Sequence, residues 1–348
     1  MFRLAVSLAI ALAAPAIADG HEPNPKDMEK AFTAIADKAM DSTVAIRTYE
    51  LIAEGPPRIT KSLGHGSGTI ISEDGAVLTN AHVVEGADWV VAILHDGTFL
   101  DAQIAGVDER GDLALLRLDT ERKFTAMTLA EPGSLAAGKW AFAVGNPRGI
   151  ASSSGRMSFT VGTVSGVGRD MTGEFKDRLG RFYGNMVECD LSVWPGSSGG
   201  PLLDLDGNLA GVVTGMRLPG KNKPSVTAFA IPLEGHAIRA MRSMLAGETV
   251  KYGFIGAELA ELDPRVRTDL KLPRSLRGAL VTRVQEGLPA EAAGLLPGDV
   301  VVSFKGQPIT SVPGLVGAVG ECAPGEVAEM VVVRDRKRVI LTVRPSAR

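Results

Sequence analysis

Short apolar runs recur along the middle of the chain, and Gly, Asp and Asn separate them. Each run is only a few residues long and is rich in β-branched and small apolar residues. Many short strands with turn residues between them are typical of an all-β barrel or sandwich. The runs that carry this prediction are GTIIS, AVLTN, WVVAILH, FLDAQIAGVD, LALLRL, WAFAVG, SFTVGTVSGVG, MVECDLSV, LAGVVTGM and TAFAIP, which ends at Pro232.

Two amphipathic segments flank this β-rich region. MEKAFTAIADKAM, residues 28–40, places its apolar residues at near-helical spacing and predicts one helix. LEGHAIRAMRSMLAG, residues 233–247, predicts a second helix that ends at Gly247. We therefore assign residues 28–247 to a first domain.

Residues 248–348 show a different mixture of patterns. The segments PAEAAGLL and VPGLVGAVGEC are helix-like, over residues 289–296 and 312–322. Strand-like runs surround them, which predicts a small α+β module rather than a continuation of the barrel. These runs are GFIGAEL, GALVTRV, DVVVSF, AEMVVVR and VILTVRP.

The N-terminal segment MFRLAVSLAIALAAPAIA has one basic residue, Arg3, then an apolar run, then small residues up to Ala18. This is the layout of a secretory signal peptide over residues 1–18. We predict cleavage near Ala18, a polar linker over residues 19–27 and a periplasmic location. An uncleaved membrane anchor is the alternative, but the run is shorter than the roughly 20 apolar residues of a spanning helix.

The composition is that of an ordinary soluble protein. The 348 residues are 45% apolar and 22% charged, with a formal net charge of −3. This balance lacks the basic footprint of a nucleic-acid-binding protein, so we expect no nucleic-acid partner. Cys189 and Cys322 are too few for a disulfide framework, and we interpret them as small buried apolar residues.

Three motifs supply the groups that serine catalysis needs. WPGSSGGP holds two adjacent serines among glycines, TNAHVV holds His82, and GDLALLRL holds Asp112 at the start of an apolar run. The chain order His, Asp, Ser is that of chymotrypsin-like barrels. Each motif alone has a structural alternative, as a buried histidine, a turn aspartate or a plain Gly-rich loop. Together they predict a catalytic triad that contains one of the two serines.

The motifs resemble those of one known family. GSGTII, VLTNAHVV, DLALLRL, AVGNPRG, TVGTVSGVGR, PGSSGGPLLDLDG and FAIP occur in the order found in the HtrA/Deg serine proteases. The tail, with YGFIGAEL and LPAEAAGLLPGDVVVSFKGQPI, resembles the PDZ domain of that family. The resemblance covers nearly all of residues 28–345. It implies a mainly β fold, with a chymotrypsin-like double β-barrel protease domain followed by an α+β PDZ domain over residues 248–348.

The resemblance also implies the role of each triad residue. The family's Gly-Asn-Ser-Gly-Gly loop matches residues 196–200, which makes Ser198 the nucleophile. His82 would be the base, and Asp112 would orient it. No metal or organic cofactor is implied.

The residues before the nucleophile would form the oxyanion hole. The segment is Gly196, Ser197 and Ser198, and Ser197 stands where the family usually has Asn. If the loop turns tightly, the N–H groups of Gly196 and Ser198 converge on one oxygen.

In the family, the segment before the nucleophile and the strand after it line the S1 pocket, which binds the substrate residue before the cleaved bond. The matching positions are Val193, Val213 and Met216, all apolar, and Ser192 falls at the base. We therefore expect cleavage after small or medium aliphatic residues, such as Val, Ala, Leu or Ile, and not after Lys or Arg.

The PDZ-like module implies peptide partners. Gly253, Phe254, Ile255 and Gly256 match the turn that cradles a terminal carboxylate, and a bound peptide would add a strand to the sheet edge. The resemblance implies unfolded or misfolded exported proteins as substrates. It also implies a homotrimer or a higher oligomer.

Three features leave alternatives open. Trp194, where the family has a small polar residue, affects either the oxyanion loop and substrate groove or only barrel packing. The polar segment 169–186 is either a sensor of the PDZ domain or of a neighbouring subunit, or a plain loop. We interpret His65, beside the turn Gly66-Ser67-Gly68, as a loop residue.

Two other functions compete with proteolysis. One is a catalytically silent peptide-binding chaperone with the same fold. The other is a signalling adaptor built around the PDZ-like module. Labelling of Ser198 by a fluorophosphonate separates the first from an active enzyme, and partner binding after deletion of residues 28–240 would favour the second.

Overall fold

Six antiparallel strands between residues 43 and 118 form a closed barrel. The protein's structure is a computed structural model that describes residues 24–53, 59–172, 181–217 and 227–347. The strands are β1 (Thr43–Ala53), β2 (Ile59–Ile70), β3 (Ala76–Thr79), β4 (Trp89–Ile93), β5 (Phe99–Asp108) and β6 (Leu113–Leu118). Neighbours follow the closed order β1-β2-β3-β6-β5-β4.

Six further strands form a second closed barrel with the same kind of path. They are β7 (Trp140–Gly145), β8 (Ser158–Arg169), β9 (Met186–Cys189), β10 (Pro201–Leu203), β11 (Leu209–Arg217) and β12 (Thr227–Pro232). Their order is β10-β11-β12-β9-β8-β7. The predicted mainly β fold, a double barrel, is confirmed.

The barrels share one core because many strands are buried on both faces. In β3, Val77 packs only among residues of the first barrel. Its neighbour Leu78 points to the opposite face. There it joins a cluster with Phe142 and Val212 of the second barrel and Met241 of a helix. Near-continuous apolar runs are the sequence signature of such strands.

Helices cover this shared core. Helix α1 (Pro25–Asp41) begins after Asn24, whose side chain accepts a hydrogen bond from the Lys26 N–H at 3.1 Å. The predicted linker over residues 19–27 therefore extends too far. The chain is already helical from Pro25, because Asn24 caps the helix and proline is favoured in its first turn. Phe32 packs edge-on against Phe142, with ring centroids 5.1 Å apart. The remaining helices are α2 (Ala81–Val84), a 3₁₀ segment (Pro147–Ser153) and α3 (Gly235–Leu245).

The C-terminal domain contains a main sheet, a separate two-stranded sheet formed by its first and last strands, and three helices. Its elements are β13 (Gly253–Phe254), β14 (Ala257–Glu261), α4 (Pro264–Asp269), β15 (Ala279–Val284), α5 (Pro289–Ala292), β16 (Val300–Phe304), β17 (Gln307–Pro308), α6 (Val312–Glu321), β18 (Ala328–Arg334), β19 (Lys337–Val343) and β20 (Ser346–Ala347). The sheet order is β14-β15-β16-β18-β19, with β17 paired to β16. Strand β14 is thus an edge strand.

The predicted strand-like run GFIGAEL is divided in two. Residues 253–254 pair with β20, and β14 starts only after Gly256, which has a φ of +78°. A left-handed residue breaks a strand, and glycine adopts that conformation without a side-chain penalty. Cys189 and Cys322 are both buried and unpaired, as interpreted from the sequence.

A polar cluster joins the C-terminal domain to the first barrel. The Tyr252 hydroxyl donates a hydrogen bond to the Asp108 carboxylate, and Oδ1 of that carboxylate accepts the Gly111 N–H at 3.0 Å. Burial raises the pKa of Asp108 despite these hydrogen bonds. From α3, the Arg239 guanidinium donates to the carbonyl of Gly320 in α6 at 2.7 Å. Within the described residues, no helix is long and apolar enough to cross a bilayer.

His236 in this cluster makes stability depend on pH. Burial, together with the charges of Arg239 and Arg110, lowers the pKa of His236 to about 4. An unfolded histidine titrates near 6.5, so unfolding takes up a proton between these values. The contribution of His236 to stability should therefore fall by about 3 kcal/mol as the pH drops from 6.5 to 4.

We expect His236→Phe, which keeps a ring beside Tyr252, to flatten this part of the stability profile. The measurement is urea unfolding at closely spaced pH values between 7 and 4. The exposed His95 offers the matched control, and His95→Gln should keep the wild-type slope. An unchanged slope in His236→Phe would contradict the assignment.

Candidate active site

His82 is set at the end of a buried strand. Strand β3 ends at Thr79, and the short helix α2 carries His82 one residue after its start. The buried Asn80 side chain donates to the Asp112 carbonyl at 2.9 Å, and the His82 N–H donates to Asp112 Oδ1 at 3.0 Å. Two hydrogen bonds besides those of the imidazole therefore fix the position of His82 against Asp112.

Asp112 is fully buried and surrounded by donors. Its Oδ2 lies 2.8 Å from His82 Nδ1, 2.8 Å from Thr214 Oγ1 and 3.1 Å from the Tyr183 hydroxyl. Burial on its own would raise the pKa of Asp112. The hydrogen bond and charge of His82, with the hydrogen bond from Thr214, outweigh burial and hold that pKa below its usual value.

The ionised carboxylate settles the tautomer of His82. A carboxylate only accepts hydrogen bonds, so Nδ1 carries the proton and Nε2 is free to accept one. The His82 side chain is 32% exposed, and His82 lines a cleft together with Ser198. The structure thus brings the three predicted triad residues to one place.

Ser198 and Ser197 face different surroundings. Ser198 lines the cleft, and its hydroxyl donates to the Thr214 carbonyl at 3.3 Å. Among the described residues it makes no hydrogen bond to His82. Ser197 is buried, and its Oγ accepts the Trp194 N–H at 3.3 Å. Of the two serines, Ser198 is therefore the one that a substrate could reach.

A tight turn precedes Ser198. The Ser197 N–H donates to the Trp194 carbonyl at 2.8 Å, and Gly196 has a φ of +100°. Proline at the second position and a left-handed glycine at the third are the signature of a type II turn. A Cβ at Gly196 would lie 2.3 Å from the Asn146 carbonyl oxygen, which excludes other residues.

Contacts from outside the turn hold two of its peptide planes. The Arg148 N–H donates to the Pro195 carbonyl at 2.7 Å, and the Ser67 hydroxyl donates to the Gly196 carbonyl at 2.7 Å. In a trans peptide the N–H points opposite to the C=O. The Gly196 N–H therefore points away from Arg148. Within the described residues, neither that N–H nor the Ser198 N–H has a hydrogen-bond partner, whereas the Ser197 N–H closes the turn.

Trp194 has a partner that the sequence did not indicate. The Arg148 guanidinium lies over the Trp194 indole, 4.2 Å from the ring centroid. Arg148 itself has a left-handed φ of 56° inside the 3₁₀ segment. The two residues thus connect the loop after β7 to the turn before Ser198.

Sequence reasoning missed Thr214, Tyr183 and the surroundings of His65. Thr214 is a buried polar residue in the apolar run LAGVVTGM, which was the only available signal for it. Tyr183 belongs to the polar segment 169–186, of which residues 173–180 lie outside the described part. His65 is in strand β2, not in a loop, and it lines the cleft with Ser198.

The predicted specificity residues lie behind the nucleophile. Val193 and Val213 are buried among apolar residues of the second barrel and do not line the cleft that contains His82 and Ser198. The Val213 carbonyl accepts the Gly199 N–H at 2.7 Å, so strand β11 does pass beside the nucleophile loop. Met216 is in β11, and its side chain lies outside the described part of the chain.

The predicted carboxylate-binding turn is only partly open. Gly253 and Phe254 pair with Ala347 and Ser346 of β20. Ile255 is buried, and its carbonyl accepts the Ala290 N–H at 2.7 Å. In the part of the chain that the structure describes, the N–H groups of Ile255 and Gly256 donate to no acceptor.

Comparisons with known proteins agree with this fold. A family model for the trypsin-like peptidase domain matches residues 66–212, and one for the PDZ domain matches residues 253–344. A putative serine protease, HhoA, of Synechocystis is 32% identical over 327 residues, 91% of this chain and 79% of that protein. The solved structure of the HtrA-type protease AlgW with a decapeptide has a TM-score of 0.72 and 30% identity, and the match covers 91% of this chain and 98% of AlgW. The chain belongs to the HtrA family of serine proteases.

Some HtrA relatives are longer than this chain. A probable periplasmic serine endoprotease, DegP-like, of Chlamydia trachomatis is 36% identical over 280 residues. That match covers 80% of this chain but 53% of the relative. The chain therefore spans about half the length of the DegP-like relatives that it matches, and it has the HtrA order of a peptidase domain followed by a PDZ domain.

Thr214→Val tests the donor that the second barrel contributes to Asp112. The substitution keeps the shape and the backbone carbonyl but removes a hydrogen bond to a buried charge, which is worth about 1.5–3 kcal/mol. We expect kcat/KM toward a peptide substrate to fall about 10–100-fold. Thr160→Val, at a threonine of β8 whose hydroxyl has only a 3.5 Å contact, should leave activity unchanged. Wild-type activity in Thr214→Val would contradict this role.

Proposed function

We propose that the protein is a serine endopeptidase whose nucleophile is Ser198. The observation that carries the proposal is that His82 donates a hydrogen bond to the buried Asp112 and lines the same cleft as Ser198. We propose that the peptidase domain comprises residues 28–247 and the PDZ domain residues 248–348.

The residues divide the reaction between them. His82 Nε2 takes the Ser198 proton as Oγ attacks the substrate carbonyl, and the imidazolium then protonates the leaving amine. A water molecule hydrolyses the acyl-enzyme by the same route. Asp112 stabilises the imidazolium without taking its proton. The Ser198 hydroxyl must first turn from the Thr214 carbonyl toward Nε2.

The N–H groups of Gly196 and Ser198 would bind the oxyanion. Their lack of partners in the described structure supports this role, and so does the type II turn. We infer that the hole is formed at rest, because Arg148 and Ser67 hold the carbonyls of Pro195 and Gly196. Preorganised donors of this kind need no rearrangement during the reaction.

We propose cleavage after small or medium aliphatic residues. The apolar strand β11, whose Val213 carbonyl accepts the Gly199 N–H next to the nucleophile, supports this preference. Glu85 is the one acidic residue among the described residues that line the cleft, and its carboxylate forms an ion pair with Arg181 at 2.8 Å. An engaged carboxylate is a poor partner for a basic substrate side chain.

We propose unfolded or misfolded exported proteins as substrates and the periplasm as the location, with residues 1–18 as a cleaved signal peptide. The DegP-like relatives are named periplasmic endoproteases, which supports the location.

The PDZ domain would take C-terminal peptides at β14, with Ile255 and Gly256 supplying N–H groups. The AlgW structures with a decapeptide and a tripeptide support peptide binding. A homotrimer or higher oligomer remains our expectation.

We also propose that segment 169–186 senses the PDZ domain or a neighbouring subunit. Its described C-terminal end supports this role, because the Tyr183 hydroxyl contacts Asp112 and the Phe182 N–H donates to the Arg110 carbonyl at 2.8 Å. Arg110 in turn lies over the Tyr252 ring at the start of the PDZ domain.

Fluorophosphonate labelling tests the proposed activity. Wild-type protein should label at Ser198 and should cut a denatured protein after aliphatic residues, as mapped by mass spectrometry. Ser198→Ala should do neither, whereas Ser197→Ala should still label because its hydroxyl faces Trp194. Absence of labelling in the wild type would favour the silent chaperone, and cleavage mainly after Arg would refute the proposed specificity.

The contact of Arg148 with Trp194 should matter to catalysis rather than to substrate binding. Arg148→Gly keeps the N–H that holds Pro195 and suits the left-handed φ, but it removes the guanidinium. A cation–π contact is worth about 0.5–2 kcal/mol, so we expect kcat to fall about 3–30-fold with KM nearly unchanged. Trp194→Phe should retain most of the rate.

A double-mutant cycle supplies the control. Arg148→Gly combined with Trp194→Ala should cost little more than either change alone. Arg122→Gly, which removes a similar contact with Phe124, should leave kcat at the wild-type value. Fully additive losses, or a loss confined to KM, would refute the coupling.

A further inference from the structure

One surface of the PDZ domain carries a charge opposite to that of the whole chain. The segment 262–278, which we call the basic lobe, connects β14 to β15 and contains helix α4. It holds five basic side chains against two acidic ones, a net charge of +3, whereas the chain carries −3. The basic residues are Arg265, Arg267, Lys271, Arg274 and Arg277.

The basic lobe is a built structure and not a loose loop. Its apolar residues Val266, Leu272 and Leu276 pack against one face of the sheet. The Arg267 guanidinium donates to the Leu262 and Arg274 carbonyls, each at 2.8 Å or less. These bonds fix the two ends of the basic lobe relative to each other.

Three of its exposed cations, Arg265, Lys271 and Arg274, have side chains that make no hydrogen bond and no ion pair within the described residues. Asp263 cannot neutralise them, because its carboxylate caps α4 by accepting the N–H groups of Arg265 and Val266. A cavity of about 540 Å³ lies between α4 and the returning chain, and Arg267, Lys271, Arg274 and Arg277 line it.

The basic lobe lies at the end of the strand along which a bound peptide would run. If the terminal carboxylate sits at Ile255 and Gly256, just before β14, the peptide must run antiparallel to β14. It would occupy the free edge of β14, beside α6, whose first N–H donates to Glu261 at 2.8 Å. Strand β14 has five residues, so it can pair with about the last five residues of the peptide. Peptide residues further upstream extend past the end of β14, where the basic lobe begins.

We propose that the basic lobe binds acidic residues of the peptide, upstream of the C-terminal residues that the β14 edge holds. This inference rests on the proposed peptide binding by the PDZ domain. Guanidinium groups bind carboxylates through paired hydrogen bonds, and several cations around one cavity favour a compact group of carboxylates. The preferred ligands are thus chain ends with an apolar tail and an acidic segment before it.

Three matched sets of fluorescent ten-residue peptides test the proposal. They share a panel of apolar four-residue tails and carry Asp/Glu, Asn/Gln or Lys before the tail. Binding is measured by anisotropy to the full chain with Ser198→Ala, which prevents cleavage. We expect the acidic set to bind about fivefold tighter than the amide set at 50 mM salt, and less than twofold tighter at 500 mM, because salt screens exposed charges.

Charge reversal identifies the surface. Lys271→Glu with Arg274→Glu should abolish or invert the acidic preference and leave the amide set bound as before. Lys337→Glu with Arg338→Glu, on β19 at the opposite edge of the same sheet, is the matched control and should keep the preference. Persistence of the preference after reversal at the basic lobe would overturn the proposal.

The remaining outcomes distinguish the acidic preference from peptide binding itself. Equal binding of all three sets refutes the acidic preference but leaves peptide binding intact, whereas no binding of any set refutes both. Vesicles of phosphatidylglycerol and phosphatidylcholine form a parallel arm. Vesicle binding that is lost on charge reversal, with no preference among the peptides, would assign the basic lobe to a lipid surface and overturn the proposal.

Discussion

A charged carboxylate without access to water is the constraint on which the rest of this structure depends. Burying an ionised group costs several kcal/mol unless donors surround it. Asp112 meets that condition only because both barrels supply donors, His82 from the first and Thr214 and Tyr183 from the second. The contacts that pack one barrel on the other therefore include those that stabilise the ionised Asp112 in the active site. A shift between the barrels would take the Thr214 and Tyr183 hydroxyls away from the buried charge and leave it with His82 alone among these donors.

The same dependence on both barrels governs the turn before Ser198. Ser67, from a strand of the first barrel, holds the Gly196 carbonyl, and Arg148, from the loop after the first strand of the second barrel, holds the Pro195 carbonyl. The Ser67 hydroxyl also accepts the Asn146 N–H at 2.9 Å, so it links the two barrels at the turn itself. The geometry of the oxyanion-binding groups is thus determined by residues far from Ser198 in the sequence.

Much of this could be predicted from the sequence, because motif order and strand patterning are local properties of the chain. The spacing of apolar residues predicts a β barrel or sandwich and the helix near residues 28–40, and motif order predicts a triad with His82 and Asp112. The double barrel and the choice of Ser198 come from the resemblance to the HtrA/Deg family. Thr214 could not be found, since a threonine in an apolar run resembles any strand residue until its neighbour across the barrels is known. His65 was misinterpreted because glycines usually mark loops. Here Gly66 and Gly68 are inside a strand, where a Cβ would lie 2.5 Å from Val83 and Val77.

The contact between Tyr252 and Asp108 affects how this protein can be divided. Tyr252 belongs to the PDZ side of the chain, yet its hydroxyl donates to a buried carboxylate that lies four residues before Asp112. A fragment that ended near residue 247 would expose Asp108 to water and remove the ring that Arg110 covers. The isolated peptidase domain would then differ from the intact molecule in the segment leading to its own triad. Domain swaps in this family should therefore transplant both sides of that contact together.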